Sequence, residues 1–298
     1  MSIATARLDL VAEYLERVGQ QPLLTPAKER TRWQRIERAE AKAYELIFSI
    51  TSMTPYVLEI AAFLVSGPEH VARMVAGKKH ARLDAYLRLL PALIAEVTQR
   101  DAELTRLWRR AMRSPLAAER RKRRRAFMAA QKSLAALLPE FDFKLEVYQE
   151  YLDRLDPLLG EIKVLQAEIT AARDTPQTDK PAAHVRKSKA RLTEIETAQR
   201  MSGATLLTLI PQISVHIRRT QAAKAELLSN YLRLVVNGAK LLTQLGPSFV
   251  HLIQAGNTGL MQAIERYNFR GSQEFAPFAS PFITRALAKC VLERTSTP

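Results

Sequence analysis

Apolar residues recur at three- and four-residue steps along almost the whole chain. Leu8, Val11, Tyr14, Leu15 and Val18 form one such stripe, and Leu228, Leu232, Val235, Val236 and Leu242 form another. No convincing run alternates strictly between apolar and polar positions, and glycines are few, so the pattern predicts an all-α fold. GQQPLLTP, residues 19–26, breaks the first helix, and Thr25 followed by Pro26 predicts an N-cap with proline in the first turn of the next. DTPQTDKPAAH, residues 174–184, has the composition of a linker or long loop, and SGATLLTLIP, residues 202–211, predicts another turn. The chain thus divides into an N-terminal helical segment (1–50), a long helical middle (51–211) and a C-terminal helical domain (212–298), with no internal repeat.

One predicted helix carries an anomaly. HLIQAGNTGLMQAIERYNF, residues 251–269, places Gly256 and Gly259 inside a helical pattern. Each glycine costs roughly 0.5–1 kcal/mol relative to alanine in a helix interior, which is tolerable where another backbone must come close. Ile253, Gly256, Leu260, Ile264 and Tyr267 fall on one face suited to packing inward, and Gln254, Asn257, Met261 and Glu265 form a stripe beside it. The residues favour close packing within the molecule, with an adaptable amide and thioether surface for a partner as the second reading.

Composition adds a partner class and removes several chemistries. The formal charge of +15 and the isoelectric point near 10.1 point to a polyanion or an acidic protein. Cys290 is the lone cysteine and forms no internal disulfide, and the N-terminus lacks an uninterrupted apolar signal core, which predicts a cytoplasmic protein. YVLEIAAFLV, residues 56–65, is about half of the ~20 residues a membrane span needs and reads as core, so no membrane partner is expected. No Gly-rich phosphate loop or HExxH pair occurs, and the histidines at 70, 80, 184, 216 and 251 are scattered. Glu194 and Glu196 read as a solvated face, and Cys290 as a small packed residue. No metal, no cofactor and no catalytic residues are expected, and the protein does not read as an enzyme.

The strongest electrostatic feature is RLWRRAMRSPLAAERRKRRR, residues 106–125, with ten basic residues, one acid and six consecutive cations, Arg120, Arg121, Lys122, Arg123, Arg124 and Arg125. Such a block attracts phosphate over about a Debye length and binds DNA without sequence preference. It reads equally as a solvated helix face or a flexible basic turn.

Two stretches resemble a known family. AKAELLSNYLRLVVNGAKLL (223–242) followed by FVHLIQAGNTGLMQAIERYNFR (249–270) is similar to the core-binding and promoter-recognising segment of the primary bacterial sigma factors, with N-x-G-L-M-x-A after L-I-Q-x-G as its specific pattern. Upstream, DLVAEYLERVGQQPLLT (9–25) with the RIE at 35–37 resembles the segment that opens the same family's structured region. The resemblance implies a sigma core-binding fold with a long helical insertion between the two segments. It implies docking of the stripe onto the clamp coiled coil of the largest subunits of bacterial core RNA polymerase. Gln254, Asn257 and Met261 match contact positions, flanked by Ile253 and Leu260, whereas His251 replaces an aspartate and Ala255 a glutamate.

The promoter-facing part departs further. In SQEFAPFASPFITRALAKC (272–290), Phe275 matches the family, Phe278 replaces a tyrosine and Arg266 a lysine. Gln273 replaces a base-contacting tyrosine, Glu274 a lysine, and Pro281–Phe282 the tryptophan pair that wedges the melting fork. Pro277 and Pro281 are expected to bar a straight helix. The resemblance therefore implies promoter DNA as a partner through Phe275, Phe278, Phe282, Arg266 and Arg285, with minus-ten recognition altered or weak. It also implies a cytoplasmic, nucleoid-associated location. The domain that reads the upstream element in the family has no counterpart in the sequence, and a second chain supplying that recognition is the corresponding expectation. Two functions follow. One is a sigma-like initiation protein; the other is a degenerate sigma paralogue that regulates while bound to polymerase or nucleic acid and melts no promoter.

Overall fold

The computed structural model describes residues 13–16, 18–20, 24–77, 82–112, 117–174 and 182–295. The protein is all-α. Residues 13–16 and 18–20 are helical, followed by α1 (Pro26–Ile47), α2 (Thr54–Ser66), α3 (Val71–Met74), α4 (Leu83–Met112), α5 (Ala117–Ala135), α6 (Leu145–Asp153), α7 (Asp156–Asp174), α8 (Ala182–Gln199), α9 (Gly203–Leu242), α10 (Phe249–Arg266) and α11 (Phe275–Thr295). No strand occurs among the described residues, where Val75 and Phe143 make a single antiparallel bridge. The expected cap at the start of α1 is present: Thr25 Oγ1 accepts from the Lys28 amide at 3.4 Å, and Pro26 opens the helix.

Two expected breaks are corrected. Residues 202–211 do not form a turn. The reversal is confined to Arg200–Ser202, where Arg200 adopts φ 53 past the end of α8 and Ser202 Oγ accepts from the Thr205 amide. Pro211 then lies inside α9, between buried Ile210 and Ile213, whose packing outweighs the roughly 3 kcal/mol of a helix-interior proline. Pro277 and Pro281 likewise sit within α11. Pro277 occupies its first turn, where the missing amide has no helical acceptor to lose, and Pro281 is outweighed by buried Phe275, Ala279, Ile283 and Leu287. The stretch 174–184 ends α7 and begins α8, and its central residues 175–181 lie outside the described residues.

The chain forms two compact units, one of Met1–Ala39 with Arg218–Pro298 and the other of Glu40–Ile217. In the second unit, Ile47, Ile50, Met53, Leu64, Leu90, Leu104, Leu134, Phe141 and Tyr148 are fully buried. The YVLEIAAFLV segment lies in α2 and buries Tyr56, Val57, Ala61 and Leu64; no single described helix is long and apolar enough to cross a membrane. Tyr86 donates to the Phe141 carbonyl at 2.8 Å, so its hydroxyl enters the core with a partner. Buried Arg200 ties three elements together, with Nη1 2.8 Å from both Asp101 Oδ1 and Thr105 Oγ1 and Nη2 donating to the Thr51 carbonyl.

In the first unit, α1 contributes Trp33 and Ile36 to a core shared with Leu227, Val235, Leu252, Leu260, Phe275 and Leu287. Arg32 fixes α1 to α9 through Asn230 Oδ1 at 2.6 Å and Glu226 at 3.2 Å.

Candidate partner and nucleic-acid surfaces

Helix α10 is the centre of the first unit. Ser248 caps it, accepting from the His251 amide at 3.4 Å, and its Oγ lies 2.6 Å from His251 Nδ1. The apolar face buries Leu252, Ile253, Gly256, Gly259, Leu260, Ala263 and Ile264. The two glycines answer the anomaly in the sequence. A Cβ on Gly256 would stand 2.5 Å from Val235 Cγ1 of α9, and one on Gly259 would stand 2.6 Å from the Phe282 carbonyl oxygen and 3.0 Å from Ile283 Cα of α11. Close approach of two helices uses both positions, as the first reading of the pattern held.

The neighbouring stripe faces outward. Gln254 is exposed, Met261 is 52% exposed, and Asn257 is half-buried with a buried Oδ1. Ile253 and Leu260 are buried beneath them and support this surface without forming part of it. Nothing in the residue pattern announces a neighbour at Asn257. The Tyr14 hydroxyl stands beside its amide outside regular hydrogen-bond geometry; burial pushes the Tyr14 phenol above its ordinary pKa, and Asn257 pulls it down by a smaller amount. Val250, one turn before Gln254, continues the ridge at 42% exposure, and its spacing was the signal that could have included it.

The aromatic residues of α11 do not share one fate. Phe275 is fully buried, with ring centroids 4.6 Å from Tyr231, 5.1 Å from Tyr267 and 5.2 Å from Trp33, so its faces are used by the core. Phe278 and Phe282 are half-buried and lie 5.2 Å apart, and Phe278 is also 5.2 Å from Tyr267. The Tyr267 hydroxyl donates to the Gln273 carbonyl at 2.6 Å, which fixes the connection between α10 and α11. The Arg266 guanidinium stands 5.9 Å from the Phe282 ring centre, and Arg285 is exposed on α11. Tyr267, Phe278, Phe282 and Arg266 thus form a partly exposed aromatic ladder with a cation at one end. Glu274 is exposed at the start of α11.

The basic block lies in the second unit, on the end of α4 and the start of α5, with residues 113–116 outside the described residues. At about 3.6 residues a turn, Arg121, Lys122, Arg124 and Arg125 share one side of α5, and all four are exposed. Arg123 points the other way: it donates to the Arg110 carbonyl at 2.9 Å and pairs with Glu119. The backbone of Arg120 belongs to α5, and its side chain lies outside the described residues. The structure describes the block as helix on both sides of residues 113–116.

No family model matches this chain. Among curated proteins it is similar to the RNA polymerase sigma factor RpoD of Neisseria gonorrhoeae, 26% identical over 148 residues, which is 49% of this chain and 23% of the relative. The match spans less than a quarter of that relative's length. The chain is therefore sigma-factor-like in sequence at a distance, over about half its own length.

Proposed function

We propose that this chain is a sigma-factor-like protein of bacterial transcription initiation that docks on core RNA polymerase through the outward ridge of α10. The observation that carries the reading is the coincidence of two facts. The residues matching the sigma pattern, Gln254, Asn257 and Met261, keep exposure, Gln254 and Met261 as exposed side chains and Asn257 in part, while Ile253, Gly256 and Leu260 beside them are buried. The distant sigma relative supports the partner class. In this reading the protein is a binding protein of the cytoplasm and nucleoid, and promoter DNA is its second partner. Phe278, Phe282, Arg266 and Arg285 offer single-stranded bases a stacking face and cations, and the exposed side of α5 offers duplex DNA a non-specific phosphate contact.

His251 and Ala255 supply no carboxylate, so charge-assisted pairs to basic residues of the clamp, at about 1.5–3 kcal/mol each when well formed, do not contribute. Docking is therefore weaker than for a sigma factor that keeps them. Recognition of the minus-ten element is altered or weak for the same kind of reason. The experiment is co-purification of core polymerase by the wild type and by Q254A/N257A/M261A. Loss of polymerase from the variant, with its circular dichroism melt unchanged, is the expected outcome; equal recovery overturns the assignment.

The burial of Phe275 favours a second reading, a sigma paralogue that occupies polymerase as a regulator and melts no promoter. Promoter-dependent transcription by this protein with core polymerase separates the two.

A further inference from the structure

The second unit holds a cleft of about 610 Å³, lined by α4, α8 and the 3-10 turn Thr51–Met53, a volume within the roughly 300–1,000 Å³ of small-molecule sites. Arg200 lines it and is only 6% exposed. Its Nη1 and Nη2 are engaged by Asp101, Thr105 and the Thr51 carbonyl, but its Nε is buried and donates to nothing. Trp108, three residues after Thr105 on the same side of α4, also lines the cleft, and its indole Nε1 is likewise buried without an acceptor. A buried N–H without an acceptor keeps an uncompensated desolvation cost, and here two such donors meet one cleft. Two hydroxyls add to them. Ser52 Oγ accepts from the Tyr151 hydroxyl at 3.0 Å and Thr105 Oγ1 from Arg200 at 2.8 Å, so each keeps its own hydrogen to donate. The lining acids are already paired, Asp101 with Arg200 at 2.8 Å and Glu194 with Arg191 at 3.0 Å. Arg109 lines the cleft as an exposed cation with no ion pair among the described residues. The uncommitted groups of the cleft are therefore hydrogen-bond donors and one positive charge.

The geometry points to a binding site in this cleft for a small molecule that carries an oxyanion, a phosphoryl or a carboxylate group. Its oxygens supply the acceptors that Trp108 Nε1 and Arg200 Nε lack, and Arg109 balances its charge. The site is formed wholly by the second unit and makes no use of α10, so it stands or falls independently of polymerase docking.

The chain has two tryptophans, Trp33 and Trp108, so its nitrogen–proton correlation spectrum carries two indole resonances. The one absent from W108F belongs to the cleft, and W33F, which removes the other, secures the assignment. The full chain is titrated with inorganic phosphate and separately with acetate, against sodium chloride at equal ionic strength. The expected result is a saturable shift of the Trp108 resonance with at least one of the two anions, none with chloride, and an unmoved Trp33 resonance. R109Q weakens the binding by about fivefold, the order of one exposed charge pair. Arg109 is exposed, so this variant keeps the fold, which a thermal melt checks. Saturation by phosphate alone assigns a phosphoryl group to the ligand, and saturation by acetate a carboxylate. A Trp108 resonance that moves no further with either anion than with chloride overturns the inference, as does a shift that R109Q leaves unchanged.

Discussion

Gly259 of α10 lies against the backbone of Phe282 in α11, so close that a methyl group at 259 would sit 2.6 Å from the Phe282 carbonyl oxygen. The neighbour is main chain and has no rotamer with which to yield. Alanine at 259 gains helix propensity of up to about 1 kcal/mol, but the overlap forces α10 and α11 apart at a cost of about 1–3 kcal/mol. G259A is expected to lower stability in urea denaturation by a net one to two kcal/mol, on the order set by those two terms. Gly160, inside α7 with nothing within 4 Å of an added Cβ, is the control: G160A raises stability by about 0.5–1 kcal/mol.

The exposed side of α5 makes a quantitative statement about salt. Arg121, Lys122, Arg124 and Arg125 are free to reach phosphate, whereas Arg123 is tied to the Arg110 carbonyl and Glu119. Each phosphate contact contributes about 0.9 to the slope of log affinity against log salt for duplex DNA. Replacing the four exposed cations by glutamine is expected to weaken DNA binding for all sequences alike and to flatten that slope by about 3 to 4. R123Q leaves the slope unchanged and lowers the melting temperature instead. An unchanged slope in the quadruple variant assigns the block to a solvated helix face.

Promoter opening is expected to be poor. Of the three phenylalanines in residues 272–290 only Phe278 and Phe282 offer a partly free ring, and Glu274 adds negative charge beside the start of α11. Base stacking is worth about 1–3 kcal/mol per base, so one platform fewer slows opening by one to two orders of magnitude, on the order of that energy. A permanganate footprint on a primary-type promoter, with this protein and core polymerase, shows weak thymine reactivity across the minus-ten element. Strong reactivity means that Phe278 and Phe282 suffice, and F278A/F282A then abolishes it.

The second unit is expected to lose stability in alkali. Burial pushes the phenols of Tyr86 and Tyr148 well above the ordinary value of 10.0, and that of Tyr56 up to about 12. A group whose folded pKa is raised contributes stability that is complete below the unfolded pKa. That contribution is lost as pH climbs from about 10 through the folded value. Melting temperatures measured from pH 8 to 12 stay level up to about 9.5 and then fall, and Y148F softens the fall because one buried phenol no longer titrates.

Much of this was legible in the chain. The stripe Ile253, Gly256, Leu260 and Ile264 was readable as an inward face because its period is helical, and Thr25–Pro26 as a cap because both residues suit it chemically. Prolines misled, since position within a helix decides their effect and tertiary packing offsets it: Pro277 falls in a first turn, and Pro211 and Pro281 are flanked by buried neighbours. The aromatic run misled for a different reason. Phe275, Phe278 and Phe282 look alike in sequence, and only the register of α11 against Gly259 and Trp33 turns the first one inward. Arg123 was indistinguishable from its neighbours until the α4 carbonyl it caps came into view.

The contact of Trp33 with Phe275, ring centres 5.2 Å apart, joins residues about 240 positions apart in the chain. It bears on the order of events during synthesis. The segment Glu40–Ile217 is a compact unit that leaves the ribosome whole, whereas Trp33 and Ile36 emerge before it and must wait for α11 before their core can close. The unit that carries α10 is therefore the one of higher contact order, closing last and slowly, with a tryptophan at its seam.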